Sequence, residues 1–214
     1  MFNVCTRCGA YHADKFIDPD GPYAICPECG YAQPFRQLPL LCVGGPSGGG
    51  KSAICGALLG QVDEAVLLEG DILWRPEFAQ PADDYRSFFE MWLRVAKNVS
   101  QSGRPVVLFG AGMGVPSNIE SCVERRYFSQ VHYLALVCED EVLAARLRER
   151  PAWRNAGDPE WIPDQVHFNQ WFRQHQALAD PPLTLVDTTD LSVDEAAGQV
   201  DGWIRSVLVD GGLR

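Results

Sequence analysis

Positive charge is scarce in this chain: 18 Lys and Arg face 28 Asp and Glu, for a formal net charge of -10 and a pI near 4.8. Such a surface repels a phosphate backbone, which argues against a nucleic-acid partner and requires any anion site to be local. Long apolar runs are missing, and no charged segment leading into an apolar one opens the sequence. Neither a membrane span nor a secretory leader is therefore expected, and the expected compartment is the cytoplasm. Histidine is sparse, and His12, His132, His167 and His175 have no metal-ligand spacing among themselves. Internal repeats and low-complexity tracts are absent. What is present is a chain of 214 residues, 46% hydrophobic, with enough apolar material for one good core and a small appended module.

Four of the eight cysteines form two pairs. Cys5-Thr6-Arg7-Cys8-Gly9 and Cys26-Pro27-Glu28-Cys29-Gly30 are Cys-x-x-Cys-Gly knuckles at a separation that suits a four-thiolate zinc site. In each, glycine lets the chain turn so that backbone N–H groups face the sulfurs. Closure by Cys5, Cys8, Cys26 and Cys29 leaves no open position for water or substrate, so the zinc is read as structural. A redox role fits less well, because neither pair opens a thioredoxin-like strand and helix. Cys42, Cys55, Cys122 and Cys138 stand singly in apolar segments and read as buried small hydrophobes. Residues 1–36, without sustained periodicity, are thus read as a zinc ribbon and residues 37–214 as a second domain. The ribbon sets Arg7, Lys15 and Arg36 against Asp14, Asp18, Asp20 and Glu28, so it has no basic face, and packing or a protein contact is its expected role.

From Leu38 apolar runs alternate with segments of helical period. Leu38 to Val43, Ala65 to Glu69, Val106 to Phe109, Val131 to Val137 and Leu183 to Val186 read as buried strands. Helices are expected from Lys51, around Asp84, around Ser117, from Glu139, around Pro163 and around Val193. In the helix around Asp84, Phe88, Trp92, Val95, Ala96 and Val99 recur at helical spacing, with Arg86, Arg94 and Lys97 outside the stripe. The alternation predicts an α/β fold with a parallel sheet covered by helices on both faces.

The strongest functional signal follows the first of these strands. Gly45-Pro46-Ser47-Gly48-Gly49-Gly50-Lys51-Ser52 is a complete G-x-x-x-x-G-K-S phosphate loop between a strand and a helix. Glycines allow the backbone to curl its N–H groups toward phosphate oxygens, and the following helix offers its free N–H groups and dipole. Lys51 is expected to reach the terminal phosphates of ATP, and the Ser52 hydroxyl to ligate Mg2+. Glu69 and Asp71 end the next strand, where a parallel neighbour brings carboxylates beside the loop. Asp71 is assigned to orienting and deprotonating an acceptor hydroxyl, Glu69 to the Mg2+ side. A plain helix cap is the structural alternative for Asp71. The apolar run ending in Asp, on which mechanical ATPases depend, is absent after Phe109, where Gly110-Ala111-Gly112 follows. Arg146, Arg148, Arg150 and Arg154 concentrate positive charge in an acidic protein, as arginines of a lid closing over a phosphoryl group would. Arg146 is expected at the nucleotide and Arg150 and Arg154 at the transferring group. Asp187-Thr188-Thr189 is expected to border the adenine ring.

These motifs resemble the nucleoside and nucleotide kinase-like P-loop family that includes gluconate, shikimate and chloramphenicol kinases. The resemblance runs from about Leu38 to Asp210. Glu69-Gly70-Asp71 is similar to the acidic Asp-Gly-Asp element of several such kinases, with Glu in the first place, and Arg146-Leu147 with Arg150 is similar to the start of their lid. It implies a three-layer fold whose five parallel strands run in the order 2-3-1-4-5, and transfer of the γ-phosphoryl group of ATP to a hydroxyl of a small molecule of the nucleoside or nucleotide kind. Trp74, Arg75 and Phe78 are candidates for the acceptor pocket, which the zinc ribbon is also expected to help shape. The rival reading is a nucleotide-dependent switch or adaptor whose zinc ribbon meets a protein partner.

Overall fold

Pro39 has no N–H to give to a ladder, and the first long strand begins just after it. In the computed structural model, which describes residues 3–78, 85–151, 160–176 and 178–210, this strand is β4 (Leu40–Gly44). It lies at the centre of a five-stranded sheet with β5 (Val66–Glu69), β6 (Val106–Phe109), β7 (Val131–Val137) and β8 (Leu183–Asp187), in the spatial order β5-β6-β4-β7-β8. Every pairing is parallel, with Leu40 opposite both Val106 and Val131. Numbered from β4 as the first strand, this is the order 2-3-1-4-5.

Side chains alternate across the sheet, as period-two geometry requires. Leu40, Cys42, Val106 and Leu108 point to one face, where Phe88 and Trp92 of α2 (Arg86–Ser100) and Phe172 of α5 (Ile162–His175) cover them. Leu41, Val43, Val107 and Phe109 point to the other, under Ile54 and Leu58 of α1 (Lys51–Leu58) and Val200 and Ile204 of α6 (Val193–Asp210). The result is three layers. The short α3 (Pro116–Glu120) and α4 (Asp140–Arg148) complete the α-helices among the described residues. All four single cysteines are buried.

The N-terminal segment forms a small antiparallel sheet of β1 (Phe16–Ile17), β2 (Tyr23–Ile25) and β3 (Ala32–Pro34). Strands this short do not bury a core, and the segment is held by what it packs against. Tyr127 is the pin: its hydroxyl donates to the Ala13 carbonyl at 2.9 Å and accepts from the Lys15 N–H at 3.2 Å, while its ring meets Phe35 edge-on at 5.8 Å. The Lys97 ammonium lies over the same ring, 4.0 Å from its centroid, a cation–π geometry. Lys97 is fully buried, contrary to its expected place outside the apolar stripe, because Glu124, equally buried, faces it at 3.7 Å and also takes Arg94 at 2.8 Å. Burial holds the Lys97 pKa down to about 8 against the pull of Glu124. The segment also joins Arg36 to Gln101 through two backbone–amide bonds of 2.9 and 3.1 Å.

These contacts precede the starts of β6 and β7. They therefore lie at the amino edge of the sheet, about 15 Å of strand length from the opposite edge. The expectation that the cysteine module shapes the acceptor pocket is corrected: its described contacts are at the end of the sheet away from Glu69 and Asp71.

Candidate functional site

The parallel strands end together, and their carboxyl edge carries the phosphate loop. Gly44 closes β4 with its Cα so near the backbone of Gly114 that an added Cβ would lie 2.3 Å from the Gly114 nitrogen. Only glycine fits there. Gly48 and Gly50 take φ of +88° and +95°, in the left-handed region, and curl the loop into the N-terminus of α1.

Ser47, Gly48, Gly50, Lys51 and Ser52 line a cavity of about 550 Å³ together with Asp71, Arg146 and Arg150. A smaller hollow of about 180 Å³ adjoins it, walled by Gly48, Gly49, Gly50, Arg146 and Thr188. Gly45 and Pro46 contribute carbonyls. The Lys51 ammonium donates to both at 2.8 Å, and the residue as a whole is half-buried. Burial lowers the Lys51 pKa from 10.5 to about 8; Asp71 and Glu69 pull it up, and Arg150 pushes it down.

Ser52 donates its hydroxyl to Glu69, which places two oxygen ligands of the kind Mg2+ takes side by side at the helix start. Asp71 sits in a 3-10 turn, Gly70–Leu73, that has no side-chain cap, and its carboxylate faces the cavity instead. The turn is fixed from behind: the buried Trp92 indole N–H donates to the Gly70 carbonyl at 3.2 Å. Beyond it Trp74, Phe78, Tyr85 and Phe88 form an aromatic cluster, with Trp74 5.3 Å from Phe88 and 6.0 Å from Tyr85, and the Arg75 guanidinium lies 5.7 Å from the Phe78 ring centre.

Arg146 is oriented by the loop after β8, donating to the Thr188 hydroxyl at 3.0 Å and to its carbonyl at 2.7 Å. Arg148 is exposed and is not among the cavity-lining residues, and Arg154 lies outside the described residues. The run Gly110-Ala111-Gly112 replaces an acidic motif with a tight turn. Ala111 lines the cavity, and Gly114 makes the close approach to Gly44. Gln165 of α5 is a residue that sequence reasoning missed: its side-chain oxygen accepts the Ser47 N–H at 2.8 Å. No local pattern marks a lone amide on a helix as part of a loop 118 positions away.

At the other end of the chain the sulfurs of Cys5, Cys8, Cys26 and Cys29 all lie within 4.8 Å of one another. Cys5 and Cys29 are 3.7 Å apart and Cys8 and Cys26 3.8 Å. Tetrahedral zinc with bonds of about 2.3 Å sets sulfur–sulfur separations of about 3.8 Å, so the cage fits the ion.

No protein-family model and no curated protein matches the chain. Solved structures do. A sugar kinase from a Janibacter species matches with a TM-score of 0.57 at 18% identity, over 79% of this chain and 95% of that one. A gluconokinase from Sinorhizobium meliloti matches at 0.56 and 18%, over 82% and 99%. The tunicamycin resistance protein of Deinococcus radiodurans matches at 0.53 and 17%, over 79% and 96%. At such identities the likeness is one of fold: the chain has the three-layer α/β fold of these kinase structures, with the cysteine module in addition.

Proposed function

We propose that this chain is an ATP-dependent phosphotransferase that moves the γ-phosphoryl group to a hydroxyl of a small molecule of the nucleoside or nucleotide kind. The observation that carries the reading is the single cavity in which a phosphate loop, the Asp71 carboxylate and two arginines face one another. Gly45, Pro46, Ser47, Gly48, Gly49, Gly50, Lys51 and Ser52 cradle the phosphates, and Arg146 holds the nucleotide between the two hollows, the smaller of which takes the base against Thr188. Ser52 and Glu69 hold Mg2+, whose charge offsets that of the phosphates. Asp71 orients the acceptor hydroxyl and takes its proton, and Arg150 with Arg154 stabilises the group in transfer. The exposed Trp74 beside Tyr85 and Phe78 supports an acceptor with a flat ring. No helix among the described residues is long and apolar enough to cross a membrane.

A structural zinc ion in the four-cysteine cage, a division into residues 1–36 and 37–214, and a cytoplasmic home belong to the same proposal. No observation favours the switch or adaptor over the kinase.

The test pairs a screen with a variant. Purified protein, ATP and Mg2+ are incubated with a metabolite library, and phosphorylated product is identified by mass. Asp71→Asn should then keep ATP binding and lose transfer by about a hundredfold, since general-base catalysis is worth that much. Full transfer in the variant, or no product from any metabolite, overturns the reading.

A further inference from the structure

The phosphate loop is occupied by the protein's own polar groups, and one of them comes from outside it. Gln165 Oε1 accepts the Ser47 N–H at 2.8 Å. A backbone N–H can only donate, so the amide oxygen, not the nitrogen, must be the atom facing it. The oxygen stands where a phosphate oxygen would accept the same N–H.

Which phosphate is set by the cavity. Ser47 lines the large hollow with Asp71 and Arg150 but not the smaller hollow at Thr188. It therefore lies at the acceptor end of the site. Gln165 is also held in place: one turn further along α5 the fully buried Asn169 bonds the Cys138 N–H and carbonyl at 3.2 and 2.7 Å and Asp140 at 2.8 Å, and Gln170 bonds Asp140 at 2.6 Å. The helix is pinned to the end of β7, and the Gln165 side chain reaches the loop from a fixed base.

We infer that Gln165 is a binding residue for the terminal phosphoryl group: its amide accepts from Ser47 when the loop is empty and turns to donate its NH2 to that phosphoryl group when ATP is bound. The inference rests on the proposed kinase reading. An amide is suited to both states because it carries an acceptor and donors on one soft terminal torsion. A carboxylate could serve only the empty state and would repel phosphate.

The test measures calorimetric affinity for Mg-ADP and for a non-hydrolysable imido analogue of Mg-ATP in full-length wild type, Gln165→Leu and Gln165→Glu. The preference of wild type for the triphosphate should fall about tenfold in Gln165→Leu, the worth of a hydrogen bond to a charged group, and further in Gln165→Glu, with ADP affinity little changed. An unchanged preference in both variants overturns the inference while leaving the kinase reading intact. Wild type that binds neither nucleotide overturns the kinase reading and the inference with it. If either variant fails to fold, the 15N-labelled wild type decides: the Gln165 side-chain NH2 resonances should move on binding the analogue and not on binding ADP, and resonances that stay still overturn the inference.

Discussion

In its proposed role Lys51 serves phosphate only as an ammonium ion, and the fold makes that form costly. With burial lowering its pKa to about 8, the ligand-free protein loses this proton as pH rises through that value. Bound phosphate favours the charged form and raises the pKa, so nucleotide affinity should be level at lower pH and decline as pH rises through about 8. Calorimetry at that pH in buffers of different ionisation enthalpy should show proton uptake on binding. The stability of the empty protein has the opposite slope: between about 8 and 10.5 the unfolded chain holds the proton that the folded chain has released, so this group's contribution grows with pH. Lys51→Ala should fold, and should bind ATP at least about tenfold more weakly, through loss of charge-assisted bonds to phosphate. Wild-type affinity in that variant would remove the lysine from the site.

The elements were legible where a physical period exists. Strands buried on both faces are continuous apolar runs, and all five read from the sequence match the sheet to within two residues. Glycines at fixed offsets marked the loop for a related reason, since Gly45, Gly48 and Gly50 take positive φ that other residues rarely adopt. Contacts made at long range left no such trace. Lys97 sits in the last turn of α2 between Ala96 and Asn98, and the buried Glu124 and the Tyr127 ring, from a different element, face its ammonium. Gln165 and Asn169 are equally silent, being two amides on one helix face. Their weight can be measured. Asn169→Ala should strip partners from both backbone groups of Cys138 and destabilise the fold by about 3 kcal/mol in urea unfolding, and it should weaken ATP binding as α5 loses its anchor. A variant as stable as wild type would show that the anchor carries no load.

At the scale of the whole molecule the cysteine module and the cavity occupy opposite edges of one sheet, so their contributions should separate. Removing the proposed zinc with a chelator should lower the thermal midpoint of the chain while the protein that stays folded turns over at its usual rate. Metal loss that cuts turnover without lowering the midpoint would refute this arrangement. Glu124→Ala should act like metal loss and more strongly, by about 3 kcal/mol, because it leaves Lys97 buried without its counter-charge. The four-sulfur cage has a use that follows from its position. Cobalt accepts the same ligands as zinc, and its unpaired electrons shift and broaden NMR signals by amounts that fall steeply with distance and depend on angle. Seated in the cage, it would be an internal magnetic reference fixed to the sheet through Tyr127 and remote from the chemistry. Against that reference the movement of any amide around the cavity could be followed as ligands come and go, with no label placed near the site.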